Sequence, residues 1–397
     1  MCVPSKTVFS RAGSSRFAPV KAEVGFSLKD ELFNEETVGR FAAWLTGATP
    51  NFDEGGFTRE VMEPFPELEL KQRIAHIAAV METHLPADFD AAVKVIVDAL
   101  PERLDPTKTD DDFGEFIIAP FSHFVAVHGA TAERLQISLD ALREITQRFS
   151  AEDAIRTFIN AFPVETLAFL QDCAADDNYH VRRLASEGTR PKLPWSGKLT
   201  IEHPEPLPIL DALFADPTRY VTRSVANHLN DIAKIDPDLV LDTLARWQTT
   251  GDQEPAEMDF LIEHACRTLI KDGNGRALSL LGYGEEPDVE LTDLVSPTTN
   301  VELGSAFEFS FAVTAKRPQK LLVDYTMVFA GPDGEPGGSK VFKLKRLDLA
   351  KGESVAIRKK HPMKLMTTRA LYDGTHAITI QINGKEMDSL SFDLAVS

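Results

Sequence analysis

The spacing of apolar residues changes once along this chain, and that change limits what it can fold into. From about residue 27 to 286 the spacing is helical. Leu70, Ile74, Ile77 and Met81 recur at i, i+4 and i+7, and Ala92, Val95, Ile96 and Ala99 follow the same rule. Pro50, Pro64, Pro66, Pro86, Pro101 and Pro106 fall between such segments, where connectors between short helices belong. From about residue 300 the period becomes two. Phe307, Phe309, Phe311 and Val313 alternate with Glu308, Ser310 and Ala312, and Leu321, Val323, Tyr325, Met327 and Phe329 alternate with Asp324, Thr326 and Val328. Ile378, Ile380 and Ile382 run into Asn383-Gly384, a strong type I′ hairpin signal, and Leu390, Phe392, Leu394 and Val396 form the return strand. A further turn is expected from Ala330 to Ser339. About 110 residues of short strands match the size of an immunoglobulin-like sandwich, here without the inter-sheet disulfide.

The helical half repeats itself. "HVRRLASEGTR" from His180, "YVTRSVANHLN" from Tyr220 and "FLIEHACRTLI" from Phe260 align at offsets of 40 residues. Val181, Val221 and Leu261 coincide, as do Ala185, Val225 and Ala265. Two-helix units of this length bury their apolar faces only by stacking on neighbours, the HEAT-like arrangement. The expected fold is an all-α HEAT-like repeat solenoid over residues 27–286, followed by an all-β immunoglobulin-like sandwich over 287–397. Residues 1–26 read as a flexible N-terminal arm, and Gly282 to Glu290 as the boundary between the two regimes. The register also aligns Glu187, Asn227 and Arg267, followed one turn later by Asp231 and Lys271. Such a row is either a solvated face or the lining of a groove.

Charge and cysteine content narrow the function. The net charge is −19, from 42 basic and 61 acidic residues, which by itself disfavours nucleic acid as a partner. The distribution is uneven: Lys340 to Arg369 holds ten Lys/Arg against Asp348 and Glu353, a local +8. Cys2, Cys173 and Cys266 are far apart and form no CxxC pair, and no HExxH is present, so no metal site and no cofactor is expected. The amino-terminal tail lacks the apolar run of a secretory signal, and no stretch has 18 consecutive apolar residues. A cytoplasmic chain without membrane contact is expected.

Several motifs resemble the HEAT-repeat alkylpurine DNA glycosylases, specifically the AlkC branch. They are "LKDELFNEETV" from Leu28, "LELKQRIAHIA" from Leu68, "FSAEDAIRTFI" from Phe149, "HVRRLASEGTRPKLPW" from His180, "SVANHLNDIAK" from Ser224 and "HACRTLIKDG" from His264. A carboxy-terminal immunoglobulin-like domain also occurs in that family. The resemblance implies hydrolysis of the N-glycosidic bond of cationic N3-alkylated bases in double-stranded DNA, without base flipping. It implies a monomer working at the nucleoid. Carried over motif by motif, it makes Glu152 and Glu187 the catalytic carboxylates, with Trp195 and Asp153 beside the lesion and its sugar. Asp153 stands where the family usually has an aromatic residue. Arg156, Arg183, Arg190, Lys192, Arg223, Asn227, Arg267 and Lys271 become candidate DNA contacts, joined by Arg358, Lys359 and Lys360 of the basic stretch.

The chemistry explains why carboxylates matter. An N3-alkylated base already carries a positive charge and leaves neutral, so no general acid is needed. The sugar left behind is oxocarbenium-like, and a nearby carboxylate stabilises it and orients water. Plainer readings exist for each residue. Ser150 reads as an N-cap that puts Glu152 in the first turn of a helix, where a carboxylate is favourable anyway. Glu187 is spaced to pair with Arg183, one turn earlier. Trp195 could cap a helix pair, and the basic stretch could be solvated surface. The competing functional reading is a HEAT-repeat scaffold that binds DNA or protein without catalysis.

Overall fold

The computed structural model describes residues 27–49, 51–108, 110, 113–365 and 370–396; the amino-terminal arm expected over 1–26 and Arg369 lie outside the described residues. Helices run from Leu28 to Leu280 and strands from Val289 to Ala395, so the change of apolar period is a change of architecture. The helical part is a helical-repeat fold. The aligned positions are its core: Val181, Val221, Leu261, Ala185, Val225 and Ala265 are all fully buried.

The repeat has a polar hinge as well as an apolar core. Asp176 and Asp216, 40 residues apart, each accept a backbone N–H two residues on, from Asn178 and Thr218, both at 2.8 Å. Each carboxylate is also held by an arginine from the preceding repeat, Asp176 by Arg143 and Asp216 by Arg182. Each acidic turn is thus locked to a helix of the preceding repeat, and charge is matched by charge.

The chain divides into two compact units, one ending at His228 and one beginning at Leu229, inside the helix Arg219–Ile232. Helices give way to strands between Leu280 and Val289, within the second of these units. In the second unit the last helical turns are pinned to the β-domain. Arg346 pairs with Glu263 at 2.5 Å, the Asn383 amide donates to the Gly284 carbonyl at 2.8 Å, and Tyr283 bridges to Lys320. Gly273 and Gly384 touch so closely that a Cβ on Gly384 would lie 2.4 Å from the Gly273 Cα. The hairpin tip is both a turn and a docking point.

The β-domain is a sandwich. Strands β1 (Val289–Val295), β3 (Ala306–Ala315) and β6 (Ser354–Pro362) form one sheet in the order β1-β3-β6. Strands β2 (Asn300–Glu302), β4 (Gln319–Ala330), β5 (Pro336–Leu349), β7 (Gly374–Ile382) and β8 (Lys385–Ala395) form the other, ordered β2-β8-β7-β4-β5. The expected alternation is realised: Phe307, Phe309, Phe311 and Val313 face inward with Tyr325, Met327 and Ile380. Phe307 stacks on Phe392 across the sheets at 3.9 Å between centroids. Asn383 and Gly384 both have positive φ, 49° and 75°, as the type I′ turn requires. Seven of the ten basic residues of that stretch lie on β5 and β6, which are edge strands. Lysine on an edge opposes strand addition by another chain, a sufficient structural reason for part of that charge.

In the first unit, the helix Glu152–Ala161 packs on Tyr179–Gly188 at one close point. A Cβ on Gly188 would lie 2.5 Å from Ile155 Cγ2. Gly188→Ala should therefore destabilise the protein by about 1–3 kcal/mol through overpacking. A thermal melt checks this, and an unchanged Tm contradicts the close approach.

Candidate active site

Glu152 opens the helix Glu152–Ala161. The N-cap is Ala151, which has no capping side chain, and not Ser150 as expected. The Ser150 hydroxyl donates instead to Glu152 Oε2 at 2.7 Å. The helix begins one residue later than expected, and the hydroxyl proton goes to a full carboxylate charge, a strong acceptor. The same oxygen accepts Arg183 Nη1 at 2.8 Å, and that nitrogen also donates to Ser150 Oγ at 2.9 Å. Both bonds converge on Oε2. Glu152 Oε1 accepts no hydrogen bond from the described residues.

Arg183 comes from the helix Tyr179–Gly188. Its Nη2 is 3.6 Å from Glu187 Oε2, the ion pair expected from sequence spacing. Its guanidinium lies 4.4 Å from the centre of the Tyr220 ring, a cation–π contact. Burial alone lowers the Arg183 pKa, but the Glu152 and Glu187 charges outweigh it and raise the value, so the guanidinium stays charged.

Glu187 is only 4% exposed. Arg190 Nη1 reaches its Oε1 at 2.5 Å, and Ser224 Oγ donates to its Oε2 at 2.6 Å. Burial pushes the carboxyl upward, yet Arg183 and Arg190 together with Ser224 hold it below 4.5. Behind it, His228 Nδ1 is 3.0 Å from the Ser186 carbonyl, and complete burial takes that imidazole down to about 3. Neutral His228 therefore donates through Nδ1. The two carboxylates are not equivalent: Glu152 keeps an unbonded oxygen, whereas Glu187 is sealed by its partners.

Both line one groove of about 800 Å³, together with Asp153, Arg156, Arg183, Trp195, Arg223 and Asn227. Trp195 is 71% exposed and has φ of 65°, a left-handed conformation rare for a bulky residue. It does not cap a helix pair. Asp153 is exposed and paired with Lys71 at 3.4 Å, and Lys71 also donates to the Trp195 carbonyl. Arg223 pairs with Asp110. Arg156 is buried, and its guanidinium donates to the carbonyls of Gly188, Arg190 and Gly197 at 2.7–3.0 Å. Its donors serve the backbone, unlike the outward phosphate contact expected from sequence. Lys192 is exposed on the same loop as Trp195.

The remaining candidates lie in the second unit. Arg267 donates to the His264 carbonyl, and Lys271 is exposed at the end of the helix Arg267–Lys271. Arg358, Lys359 and Lys360 lie on β6, with Lys360 paired to Glu308 at 2.5 Å. Sequence reasoning missed Lys71, His123, Ser150, Tyr220 and Ser224. His123 also lines the groove, and burial lowers its pKa, with Asp153 opposing and Lys71 reinforcing the shift. Only Tyr220 carried a usable signal, its alignment with His180 in the repeat. Among the described residues no cluster of His, Cys, Asp or Glu is arranged to hold a metal ion, and no helix is long and apolar enough to cross a membrane.

Comparison with known proteins agrees with this fold. The chain is 35% identical to Pseudomonas fluorescens alkylpurine DNA glycosylase AlkC, solved bound to DNA containing an abasic site analog. That match covers 93% of this chain and 100% of that one, with a TM-score of 0.79. It is also 32% identical over 368 residues to the uncharacterized protein YhaZ of Bacillus subtilis (strain 168), covering 92% of this chain and 98% of the relative. Residues 290–396 match the family model of the YhaZ carboxy-terminal Ig-like domain. The chain belongs to the AlkC branch of the HEAT-repeat alkylpurine DNA glycosylase family.

The buried charges set a pH dependence. Glu187 has a folded pKa below 4.5, so its contribution is present above about pH 4.5 and fades as pH falls through the lower folded value. His228, neutral in the folded protein down to about 3, adds stability above the unfolded value of 6.5 that is lost as pH falls towards 3. Glu187→Gln leaves Arg183 and Arg190 without their buried counter-charge and should cost about 3–5 kcal/mol at pH 7. Denaturant unfolding from pH 7 to 3 should show the gap to wild type shrinking below pH 4.5. A gap that is absent, or constant with pH, contradicts the assignment.

Proposed function

We propose that this protein is a monofunctional DNA glycosylase of alkylation repair that releases cationic N3-alkylated bases, chiefly N3-methyladenine, from double-stranded DNA. One observation carries the reading: a carboxylate, Glu152, is fixed through one oxygen by Arg183 and Ser150, while its other oxygen is unbonded at a groove rimmed by an exposed tryptophan. The 35% identity to an alkylpurine DNA glycosylase supports the same class of reaction. The wider reading is of a cytoplasmic monomer.

In this mechanism the C1′–N bond breaks with its electron pair going to the base, which departs neutral because it began as a cation. Positive charge moves to C1′ and the ring oxygen of the sugar. Glu152 stabilises that charge and orients water, whose oxygen bonds to C1′ while its proton passes to the carboxylate and then to solvent. Glu187 acts from behind, by holding the guanidinium that aims Glu152. No lysine forms a Schiff base, so the product is an intact abasic site. Trp195 packs against the exposed deoxyribose, which requires no flipped base. Arg358, Lys359 and Lys360 contact the phosphate backbone and read no sequence.

Single-turnover release of N3-methyladenine from methylated duplex DNA tests the reading. Wild type should release the base, and Glu152→Gln should be slower by about 10²–10³-fold, the usual size of one lost electrostatic stabiliser. Equal rates would remove Glu152 from the mechanism, and no release by folded wild type would favour a binding scaffold. The basic strand is tested in the full chain, because cutting at residue 288 would divide a compact unit. Arg358→Gln with Lys359→Gln should lower the salt slope of DNA binding by up to about 2. An unchanged slope leaves those residues as solvated edge-strand charge.

A further inference from the structure

Arg156 is in a position to do something other than touch DNA. Its helix, Glu152–Ala161, carries Glu152 at its first residue, and Arg156 follows one turn later on the buried side. The guanidinium fork closes on backbone carbonyls from two separate places. Nη1 donates to the Gly188 carbonyl at 3.0 Å and to the Arg190 carbonyl at 2.8 Å, at the end of the helix that carries Glu187. Nε and Nη2 both donate to the Gly197 carbonyl, at 2.9 and 2.7 Å, two residues beyond Trp195. Carbonyls at a helix carboxy-terminus lack intrahelical partners and favour a cation, so the first pair of bonds is a strong anchor. One side chain thereby ties together the elements bearing Glu152, Glu187 and Trp195.

Other side chains extend the clamp along the same loop. Asn160, one turn after Arg156, donates to the Lys198 carbonyl at 2.9 Å and accepts the Thr200 backbone N–H at 2.9 Å. Lys71 donates to the Trp195 carbonyl itself. These bonds act on a loop whose tryptophan has φ of 65° and whose indole is 71% exposed. A bulky residue held in a disfavoured backbone conformation relaxes unless its surroundings fix it. An exposed indole gains nothing from packing that would fix it there.

We propose that Arg156 is a positioning residue that sets the Trp195 loop against the Glu152–Glu187 pair, holding the indole ready at the groove before DNA arrives. Its role is preorganisation, so its loss acts on the reaction step more than on binding. A lysine offers no planar fork and cannot reach three carbonyls at once, so it is not an equivalent replacement. The inference rests on the glycosylase reading for its kinetic consequence, but the geometric claim stands apart from it.

The test therefore has two readouts. The first uses DNA-free protein: acrylamide quenching of tryptophan emission in wild type, Arg156→Lys and Arg156→Gln, each compared with its own Trp195→Phe counterpart to isolate the Trp195 signal. Both Arg156 variants should change the Trp195 emission maximum or its quenching constant, with Trp44 and Trp247 unaffected. Asn160→Ala, at an exposed side chain, should produce a smaller change in the same sense and guards against loss of folding in the Arg156 variants. The second readout is single-turnover base release against affinity for an abasic-site duplex. The rate should fall at least tenfold in Arg156→Lys while Kd changes less than threefold. Unchanged Trp195 emission in folded variants overturns the proposal, as does a loss confined to Kd, which would make Arg156 a DNA contact. If wild type releases no base but the emission shifts as expected, the glycosylase reading fails and the positioning role remains.

Discussion

The site depends on one guanidinium. Arg183 bonds Glu152 and Ser150, faces Glu187 at 3.6 Å and lies on the Tyr220 ring. Its contacts come from the connection before one helix, from its own helix and from a third helix, so it is a junction of successive repeat elements as well as an ion pair. Two carboxylates brought together in a partly dry groove repel each other. Arg183 lies between them and offsets that repulsion, and together with Arg190 it holds the Glu187 carboxyl below its ordinary value. Arg190 and Ser224 complete the shell of Glu187, which frees Arg183 to place its strongest bond on Glu152.

Arginine elsewhere in the first unit does similar architectural work. Arg73 is 3% exposed and donates to the carbonyls of Lys29, Phe33, Leu68 and Phe65 as well as to Asp30. Arg148 donates to the Pro101 and Glu144 carbonyls. Short helices joined by irregular turns leave many carbonyls without partners, and a planar five-donor fork answers several at once. Arg73, Arg148 and Arg156 thus spend most of their donors on backbone carbonyls.

Much of this was legible in the sequence, for physical reasons. The two-residue alternation in β3 and β4 follows from burying one side of each pleat, and the Asn383-Gly384 turn follows from backbone sterics. The 40-residue repeat was visible because stacked units need the same apolar residues at the same places. The meeting of Glu152 and Glu187 in one groove followed from the motifs that carry them. Other features were not legible. Arg156 and Arg183 look alike as letters, and only the fold shows that one binds carbonyls and the other carboxylates. Ser150 has the sequence of an N-cap, but the helix starts after Ala151 and the Ser150 hydroxyl donates to the Glu152 carboxylate. Lys71 lies 124 residues from the carbonyl it holds, beyond the reach of any local pattern. The close contact of Gly273 with the Gly384 turn was not legible, because it joins residues 111 apart in sequence.

In the proposed mechanism the unbonded oxygen of Glu152 recognises positive charge at the sugar. That recognition is tested most directly by binding to two duplexes that differ only at one abasic position, one bearing a neutral tetrahydrofuran and the other a protonated pyrrolidine with its charge at the ring. Wild type should bind the cationic duplex more tightly at fixed salt, and Glu152→Gln should bind both alike. A wild-type protein indifferent to the charge, or a preference that survives in Glu152→Gln, would contradict the account.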